Sequence, residues 1–227
     1  MVTAPMIEIC ENSRLDSRSV ADILCGSDII IFLSVNAVEY GLMPFPQRIK
    51  LIRGKKIFAI GQTTALKLMK LELDPVFYPK NSASTEGLLL LEGMSCKSLE
   101  SKKVVVFKGV GGRRKLNYIM GKRGAIVSNI LCYRRVASKL SLRSIFRESN
   151  IELPDLTIST SAAIVKNLAE KIKAEELDDL YNVPMIVISR RVKRIALSLG
   201  FMNELILADG ATDRAILDAT KNWIRRG

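Results

Sequence analysis

The 227-residue sequence contains no histidine. Ser-His-Asp and Cys-His nucleophile systems are thereby excluded, as are the usual histidine-ligated zinc hydrolase sites. Any acid–base work falls to carboxylates, lysine, tyrosine or the substrate itself. The four cysteines, Cys10, Cys25, Cys96 and Cys132, are scattered without metal-binding spacing and read as reduced, mostly buried apolar residues. The longest apolar run, around Ile29 to Leu33, is strand-sized and far short of the ~20 residues of a membrane-spanning helix. The N-terminus does not read as a charged-then-apolar leader, so the expected setting is cytoplasmic, with no membrane partner. Aromatic residues make up only 6%, and no helix-turn-helix, RNA-stacking or zinc-finger signature appears, which argues against nucleic acid as a partner. Neither Gly-x-x-x-x-Gly-Lys-Ser/Thr nor a complete Gly-x-Gly-x-x-Gly with its downstream acid occurs, which argues against a nucleotide enzyme.

One further absence is local. Between Ser101 and Arg147 there is no Asp or Glu, against thirteen basic residues. The whole chain has 35 basic and 23 acidic residues, so outside this stretch 35 − 13 = 22 basic residues face 23 acidic ones. One segment therefore carries the net charge of +12. Within it, Val104–Phe107 reads as a buried strand, Gly109-Val110-Gly111-Gly112 as a tight turn, and Arg113 to Lys122 as a helix. A glycine-rich turn between strand and helix exposes the helix's free N–H groups, which makes an anion site. Lys108, Gly109, Gly112 and Arg113 are its candidate residues. The competing reading is an ordinary tight turn followed by a solvated basic face.

Apolar strand-like runs alternate with helical patterns along the chain. Strands are expected near Ile29–Leu33, Lys56–Ile60, Val76–Tyr78, Val104–Phe107, Ile126–Tyr133, Leu156–Ser159, Met185–Ser189 and Glu204–Ala208. Helices are expected over Gln62–Leu71, Ser84–Glu92, Arg113–Lys122, Ala162–Ala174, Arg191–Leu199 and Thr212–Trp223. Short continuous apolar strands separated by helices argue for parallel sheets covered on both faces. The fold class is α/β.

An internal repeat is also present. The run from Asp28 to Val38 aligns with Asp155 to Val165 at an offset of 155 − 28 = 127. Lys56–Gly61 aligns with Pro184–Ser189, and Asn81–Leu89 with Asp209–Leu217, both at 128. Three strand-helix units in one order at one spacing predict two similar doubly wound parallel-sheet domains. A fourth unit, Lys103 to Tyr133, follows in the first domain, and its counterpart for the second would precede residue 1. The opening residues resemble the tail of such a unit. The expected organisation is therefore residues 10–132 as the first domain. Residues 1–9 and 133–227 would form the second, with its first strand-helix unit, roughly 25 residues by the length of the equivalent unit, lying upstream. Two antiparallel connectors, about Pro5–Cys10 and Leu131–Val136, would cross between the domains.

The ordered motifs Ile31-Phe-Leu-Ser-Val-Asn-Ala-Val, Ala59-Ile-Gly-Gln-Thr-Thr-Ala, Ser84-Thr-Glu-Gly-Leu-Leu, Lys108-Gly-Val-Gly-Gly-Arg and Cys132-Tyr-Arg-Arg resemble the uroporphyrinogen-III synthase family. Thr157-Ile-Ser-Thr-Ser, Val187-Ile-Ser-Arg and Leu199-Gly-Phe continue the resemblance through the second half. It implies two α/β domains joined by a two-stranded connector, with a cofactor-free, monomeric lyase of tetrapyrrole (haem) biosynthesis built on them. Such an enzyme takes the polycarboxylate hydroxymethylbilane, by hand-over from hydroxymethylbilane synthase. It inverts the D ring and closes the macrocycle with loss of water, through an azafulvene cation and a spiro intermediate. Activity of a chain without the upstream unit is expected to be weak. The alternative is a non-catalytic two-domain anion-binding or nucleic-acid-binding protein.

The resemblance places Tyr133 at the family's tyrosine, a candidate donor to the leaving hydroxyl, since a phenol holds its proton at neutral pH. A tyrosine packed at the end of a connector strand is the plainer reading. Gly61, Gln62, Thr63 and Thr64 stand where a strand gives way to a helix, and are read either as carboxylate binders or as ordinary helix capping. Ser34, Asn36, Ser159, Thr160 and Ser161 carry the same double reading. Ser189 replaces Gly61 in the second repeat, so the threonines have no counterpart there. Arg134 and Arg135 adjoin the expected cleft, although one of the two must face outward on a strand. Glu8 reads as neutralising a neighbouring arginine.

Overall fold

A computed structural model describes residues 2–12, 17–112 and 114–226. The chain divides into two compact units, one of Ile9–Arg135 and one of Met1–Glu8 with Val136–Gly227. The elements of the larger unit are β1 (Ile7–Glu11), α1 (Ser17–Cys25), β2 (Ile29–Phe32), α2 (Val35–Gly41), α3 (Pro46–Ile52), β3 (Lys56–Ala59) and α4 (Gln62–Met69). They continue with β4 (Val76–Phe77), α5 (Thr85–Leu89), a 3-10 turn at Glu92–Met94, α6 (Cys96–Leu99), β5 (Lys103–Gly109), α7 (Lys115–Lys122) and β6 (Ile126–Ala137). β1 and β6 each run across the division between the units.

The sheet of the larger unit has the order β1-β6-β5-β2-β3-β4. The ladders β2–β3, β2–β5, β3–β4 and β5–β6 are all parallel. β1 joins antiparallel: Asn12 N–H donates to Cys132 C=O and Ser138 N–H to Met6 C=O, so residue numbers rise on one strand as they fall on the other. The stretch expected as the second connector is no separate strand. It is the far end of a single 12-residue β6.

Strand composition explains the layering. In Ile29-Ile30-Ile31-Phe32 and Val104-Val105-Val106-Phe107 successive side chains point to opposite faces. Ile30, Phe32, Val105 and Phe107 pack with Leu24, Ala37, Val38, Ile52, Ala65 and Leu68 on one side. Ile29, Ile31, Val104 and Val106 pack with Leu88, Met94, Leu99, Leu116 and Met120 on the other. Both faces are buried, and each fully buried Ile or Phe contributes roughly 1.5–3 kcal/mol. The strand runs were readable as continuous apolar sequence for this reason.

The second unit contains α8 (Leu142–Glu148), β7 (Thr157–Ser159), α9 (Ala162–Ala174), a 3-10 turn at Asp178–Asn182, β8 (Met185–Val187), α10 (Arg190–Ser198), β9 (Leu205–Leu207) and α11 (Asp213–Ile224). Its strands form a parallel sheet in the order β7-β8-β9. One core cluster serves it, built from Met185 and Val187 against Val165, Ala169, Ile172, Val192, Ala196 and Phe201. α11 contributes no fully buried residue.

The repeat holds at the level of helix caps. Ser34 and Ser161 begin α2 and α9, 161 − 34 = 127 apart. Gly61 and Ser189 begin α4 and α10, 189 − 61 = 128 apart, and Ser84 and Thr212 begin α5 and α11, again 212 − 84 = 128. Several elements depart from expectation. α1, α2, α3 and α8 lie in stretches for which no element was expected. The expected helix Ser84–Glu92 is a five-residue helix followed by the 3-10 turn. α7 begins at Lys115, and Arg113 lies outside the described residues.

Candidate active site

The strand order of the larger unit reverses direction between β2 and β5, since β3 and β4 follow on one side of β2 and β5 and β6 on the other. In open parallel sheets the C-terminal strand ends diverge at such a point and leave a crevice. A pocket of about 380 Å³ lies there. It is lined by Leu33 after β2, Ile60 after β3, the Ala83–Glu86 segment leading into α5, Lys108 to Gly112 after β5, Leu116 of α7, and Tyr133 and Arg135 of β6.

Tyr133 is 3% exposed and lines this pocket. Its hydroxyl lies 3.0 Å from Ser34 Oγ, the oxygen that also accepts the Ala37 N–H to cap α2. Arg135 Nη2 donates to the same phenol oxygen at 3.3 Å. The Tyr133 C=O accepts from Val110 N–H at 2.7 Å, so the glycine loop is tied to the tyrosine's own backbone. Gly109 pairs with Tyr133 across a bulge in the β5–β6 ladder. A Cβ on Gly109 would stand 2.7 Å from the Tyr133 ring, so only glycine leaves the ring where it is. Gly111 and Gly112 take φ of 80° and 83°, a left-handed conformation that favours glycine.

α2 is held at both ends. At its C-terminus the buried Arg48 donates to Gly41 C=O at 3.0 Å, with its guanidinium 3.6 Å over the Phe45 ring. Burial pulls the pKa of Arg48 below its ordinary value. Gly41 abuts Phe107 and Cys132 so closely that a Cβ would meet them at 2.7 and 2.8 Å. Burial pushes the Cys132 thiol up to about 12, which removes it as a nucleophile.

The pocket's electrostatics come from few groups. Lys108 and Arg135 are the cations that line it among the described residues, and Glu86 is the carboxylate. Glu86 pairs with Lys115 at 2.6 Å, with both side chains about half exposed. α7 starts at Arg114, whose side chain makes no cap bond to the first N–H groups. Free N–H groups at a helix start favour an anion.

Among the expected site residues, Lys108, Gly109, Gly112 and Tyr133 meet in this pocket, with Ser34 bonded to the tyrosine. Asn36 is half-buried in the first turn of α2. Gly61 serves the neighbouring turn: a Cβ there would reach Ala83 at 2.5 Å, so its absence lets the Ala83–Glu86 segment close over the β3 end. Gln62 and Thr63 are exposed, whereas Thr64 is buried at 3% in the core. Neither threonine caps α4, because the N-cap is Gly61. Ser159, Thr160, Ser161 and Ser189 belong to the second unit. Ser161 and Ser189 accept the N–H groups of Ile164 and Val192, Thr160 is exposed, and the buried Ser159 hydroxyl has no partner among the described residues. Glu8 accepts from Ser138 and from Lys139 N–H rather than pairing with an arginine. Ser84, Thr85 and Glu86 were missed as pocket residues, and of the two arginines expected beside the cleft Arg135 is the one that lines it. Arg135 was detectable, because it stands two places beyond Tyr133 on a strand and so shares its face.

A family model for Uroporphyrinogen-III synthase HemD matches residues 1–217. The uroporphyrinogen-III synthase of Escherichia coli K12 is 28% identical over 225 residues, which cover 95% of this chain and 87% of that protein. That of Proteus mirabilis is 33% identical over 135 residues, 59% of this chain and 67% of that one. The crystal structure of uroporphyrinogen-III synthetase from Helicobacter pylori 26695 matches in fold with a TM-score of 0.66 at 18% identity, covering 96% of this chain and 91% of that one. A mutant uroporphyrinogen III synthase from the extremely thermophilic bacterium Thermus thermophilus matches at a TM-score of 0.58 and 15% identity, covering 98% and 88%.

Proposed function

The chain belongs to the uroporphyrinogen-III synthase family, and from that premise we propose that its pocket closes hydroxymethylbilane with Tyr133 as the proton donor. The family's reaction inverts the D ring and expels water as the macrocycle forms. Hydroxide is a poor leaving group, so the hydroxyl must take a proton as it departs. Tyr133 is the candidate because its phenol oxygen accepts from Arg135 and lies in the pocket wall, with its own proton available for donation.

The substrate carries acetate and propionate groups on every pyrrole, and the pocket offers the matching chemistry. Lys108 and Arg135 supply positive charge, and the turn after β5 adds the backbone N–H groups of Gly111 and Gly112. Little further side-chain chemistry is needed. Holding a reactive bilane in the productive fold, ahead of its spontaneous closure to the other isomer, is largely a matter of positioning. Because the bilane closes by itself in water, direct hand-over from hydroxymethylbilane synthase suits it, and the chain works as a monomer.

The observation that carries the assignment of Tyr133 is the convergence of Arg135 and Ser34 on its hydroxyl at the sheet's switch point. The test is an assay that supplies hydroxymethylbilane and separates uroporphyrin isomers I and III after oxidation. An excess of isomer III is expected, and Tyr133→Phe should slow its formation by about 100-fold, the low end of what one general acid contributes. An isomer ratio equal to that of spontaneous closure overturns the activity, and an unchanged rate in Y133F overturns the role of the tyrosine.

A further inference from the structure

Arg134 and Arg135 are indistinguishable by composition, but the strand separates them. Alternation along β6 places Arg135 on the face of Tyr133 and Arg134 on the other. Arg135 lines the pocket, its Nη2 lies 3.3 Å from the phenol oxygen, and its guanidinium carbon is 5.4 Å from the centroid of the Tyr133 ring. A guanidinium can only donate. Tyr133 is therefore the acceptor in that contact, and its own proton must go elsewhere, to Ser34 Oγ at 3.0 Å or to a substrate oxygen. Arg135 thus decides which way the tyrosine's proton points.

Most of the guanidinium is left over. One of its five N–H donors serves Tyr133, and no carboxylate pairs with Arg135 among the described residues. Its flat fork matches a carboxylate in a way that an ammonium does not. Four other basic side chains of this stretch are engaged elsewhere. Lys102 pairs with Asp28, Lys115 with Glu86, Arg123 donates to the carbonyls of Leu89 and Met94, and Arg143 to those of Glu175 and Glu176.

We propose that Arg135 is a positioning residue that couples substrate seating to proton delivery. Its free fork takes one acetate or propionate carboxylate of the bilane, and its remaining N–H holds the phenol oxygen so that the Tyr133 proton faces the departing hydroxyl. This deepens the reading of Tyr133 as proton donor and rests on it.

The test is a double-mutant cycle. Arg135→Gln and Arg135→Lys are made in the wild-type and Y133F backgrounds, with Arg134→Gln removing the same charge from the opposite strand face. Steady-state rates are measured with hydroxymethylbilane, and affinity for uroporphyrin III by fluorescence titration. R135Q is expected to raise KM about tenfold and lower kcat about tenfold in the wild-type background. In Y133F the KM rise and the weakened uroporphyrin III binding persist, and the kcat loss disappears. R135K recovers most of KM but not kcat, because charge returns without the fork. R134Q changes either constant by no more than about twofold. A kcat loss of equal size in both backgrounds overturns the coupling, as does R134Q matching R135Q. A Y133F enzyme with full kcat overturns the tyrosine's role and the coupling together, whereas a slow Y133F with additive losses overturns the coupling alone. Arg135 is exposed, so the thermal midpoint of each variant should stay near wild type.

Discussion

In the smaller unit every α-helix begins at a Ser or Thr whose own hydroxyl accepts an N–H of the first turn: Ser141, Ser161, Ser189 and Thr212. In the larger unit Ser34, Ser84 and Ser95 do the same, but α3 starts at Phe45, α4 at Gly61 and α7 at Arg114, and none of these three caps its helix with its side chain. The larger unit also extends its sheet on both sides of β2 and so has a switch point, whereas β7 is an edge of the described three-stranded sheet. The two units thus share one repeat and differ in what it leaves open. Where a helix start satisfies itself, the chain gains stability. Where it does not, as at α7 beside the switch point, an anion can complete it. The uncapped α7, the pocket and Lys108 coincide in one place.

The contrast can be broken most severely at Gly109. Gly109→Ala puts a methyl where only 2.7 Å separates it from the Tyr133 ring, so either the strand or the tyrosine must move. Activity should fall by about 100-fold, since a displacement near 1 Å at a reacting group is enough for that. The thermal midpoint should change much less than the rate. An active G109A enzyme would show that the tyrosine's placement is not critical.

A second comparison sets Ser34 against Thr212, caps in the two units. Ser34→Ala removes both the α2 cap and the 3.0 Å contact to Tyr133. Thr212→Ala removes only the bond from Ala215 N–H. Each should lower stability by about 1 kcal/mol, visible as similar shifts in thermal midpoint. Only S34A should also lose turnover, by about tenfold, because the phenol loses a partner that holds it. Equal turnover in the two variants would sever capping from function.

At the pocket rim, Glu86 opposes the ligand's charge. Glu86→Gln should lower KM about two- to threefold, a small effect because the carboxylate is about half exposed and solvent-screened. The gain should fade as salt is raised. A higher KM would mean that Glu86 organises the loop more than it repels substrate.

How much of this was legible in the sequence follows from which interactions are local. The strands were readable because β2 and β5 are buried on both faces and so are continuous in Ile, Val and Phe. The repeat was readable because each cap is a Ser, Thr or Gly at fixed spacing from its strand. α2 and α3 escaped notice as seven-residue helices divided by Leu42-Met43-Pro44-Phe45, too short to show a helical period. The basic stretch pointed to Lys108, Gly109 and Gly112, which line the pocket, but did not separate the fates of its arginines. Arg123 and Arg143 serve backbone carbonyls, while Arg135 turns to Tyr133, and nothing in composition separates those fates. The Ala83–Glu86 segment joins the pocket only because α5, which follows the edge strand β4, packs against α7 beside β5, and no local pattern encodes that.

The smallest effect tests the self-sufficient side of the comparison. Glu175, just beyond α9, accepts from Ser141 Oγ at 2.8 Å, Arg143 N–H at 2.9 Å and Leu142 N–H at 3.0 Å, closing the first turn of α8. Burial alone would raise its pKa, but the Arg143 and Leu142 N–H groups and the Ser141 hydroxyl outweigh it and hold the carboxyl below its ordinary 4.5. A carboxyl whose folded pKa is depressed contributes stability that is fully present above the unfolded value. That contribution is lost as pH falls through the folded value. Wild type should therefore lose thermal stability below about pH 4.5 more steeply than Glu175→Gln, which carries no charge to titrate. At pH 7 Glu175→Ala should cost about 1 kcal/mol, and the pocket's kcat should be untouched, because α8 belongs to the unit whose helix starts are already satisfied. Melting curves of wild type and E175Q with the same slope against pH would show that this capping carboxylate adds nothing, and that the smaller unit is not stabilised in the way its hydrogen bonds indicate.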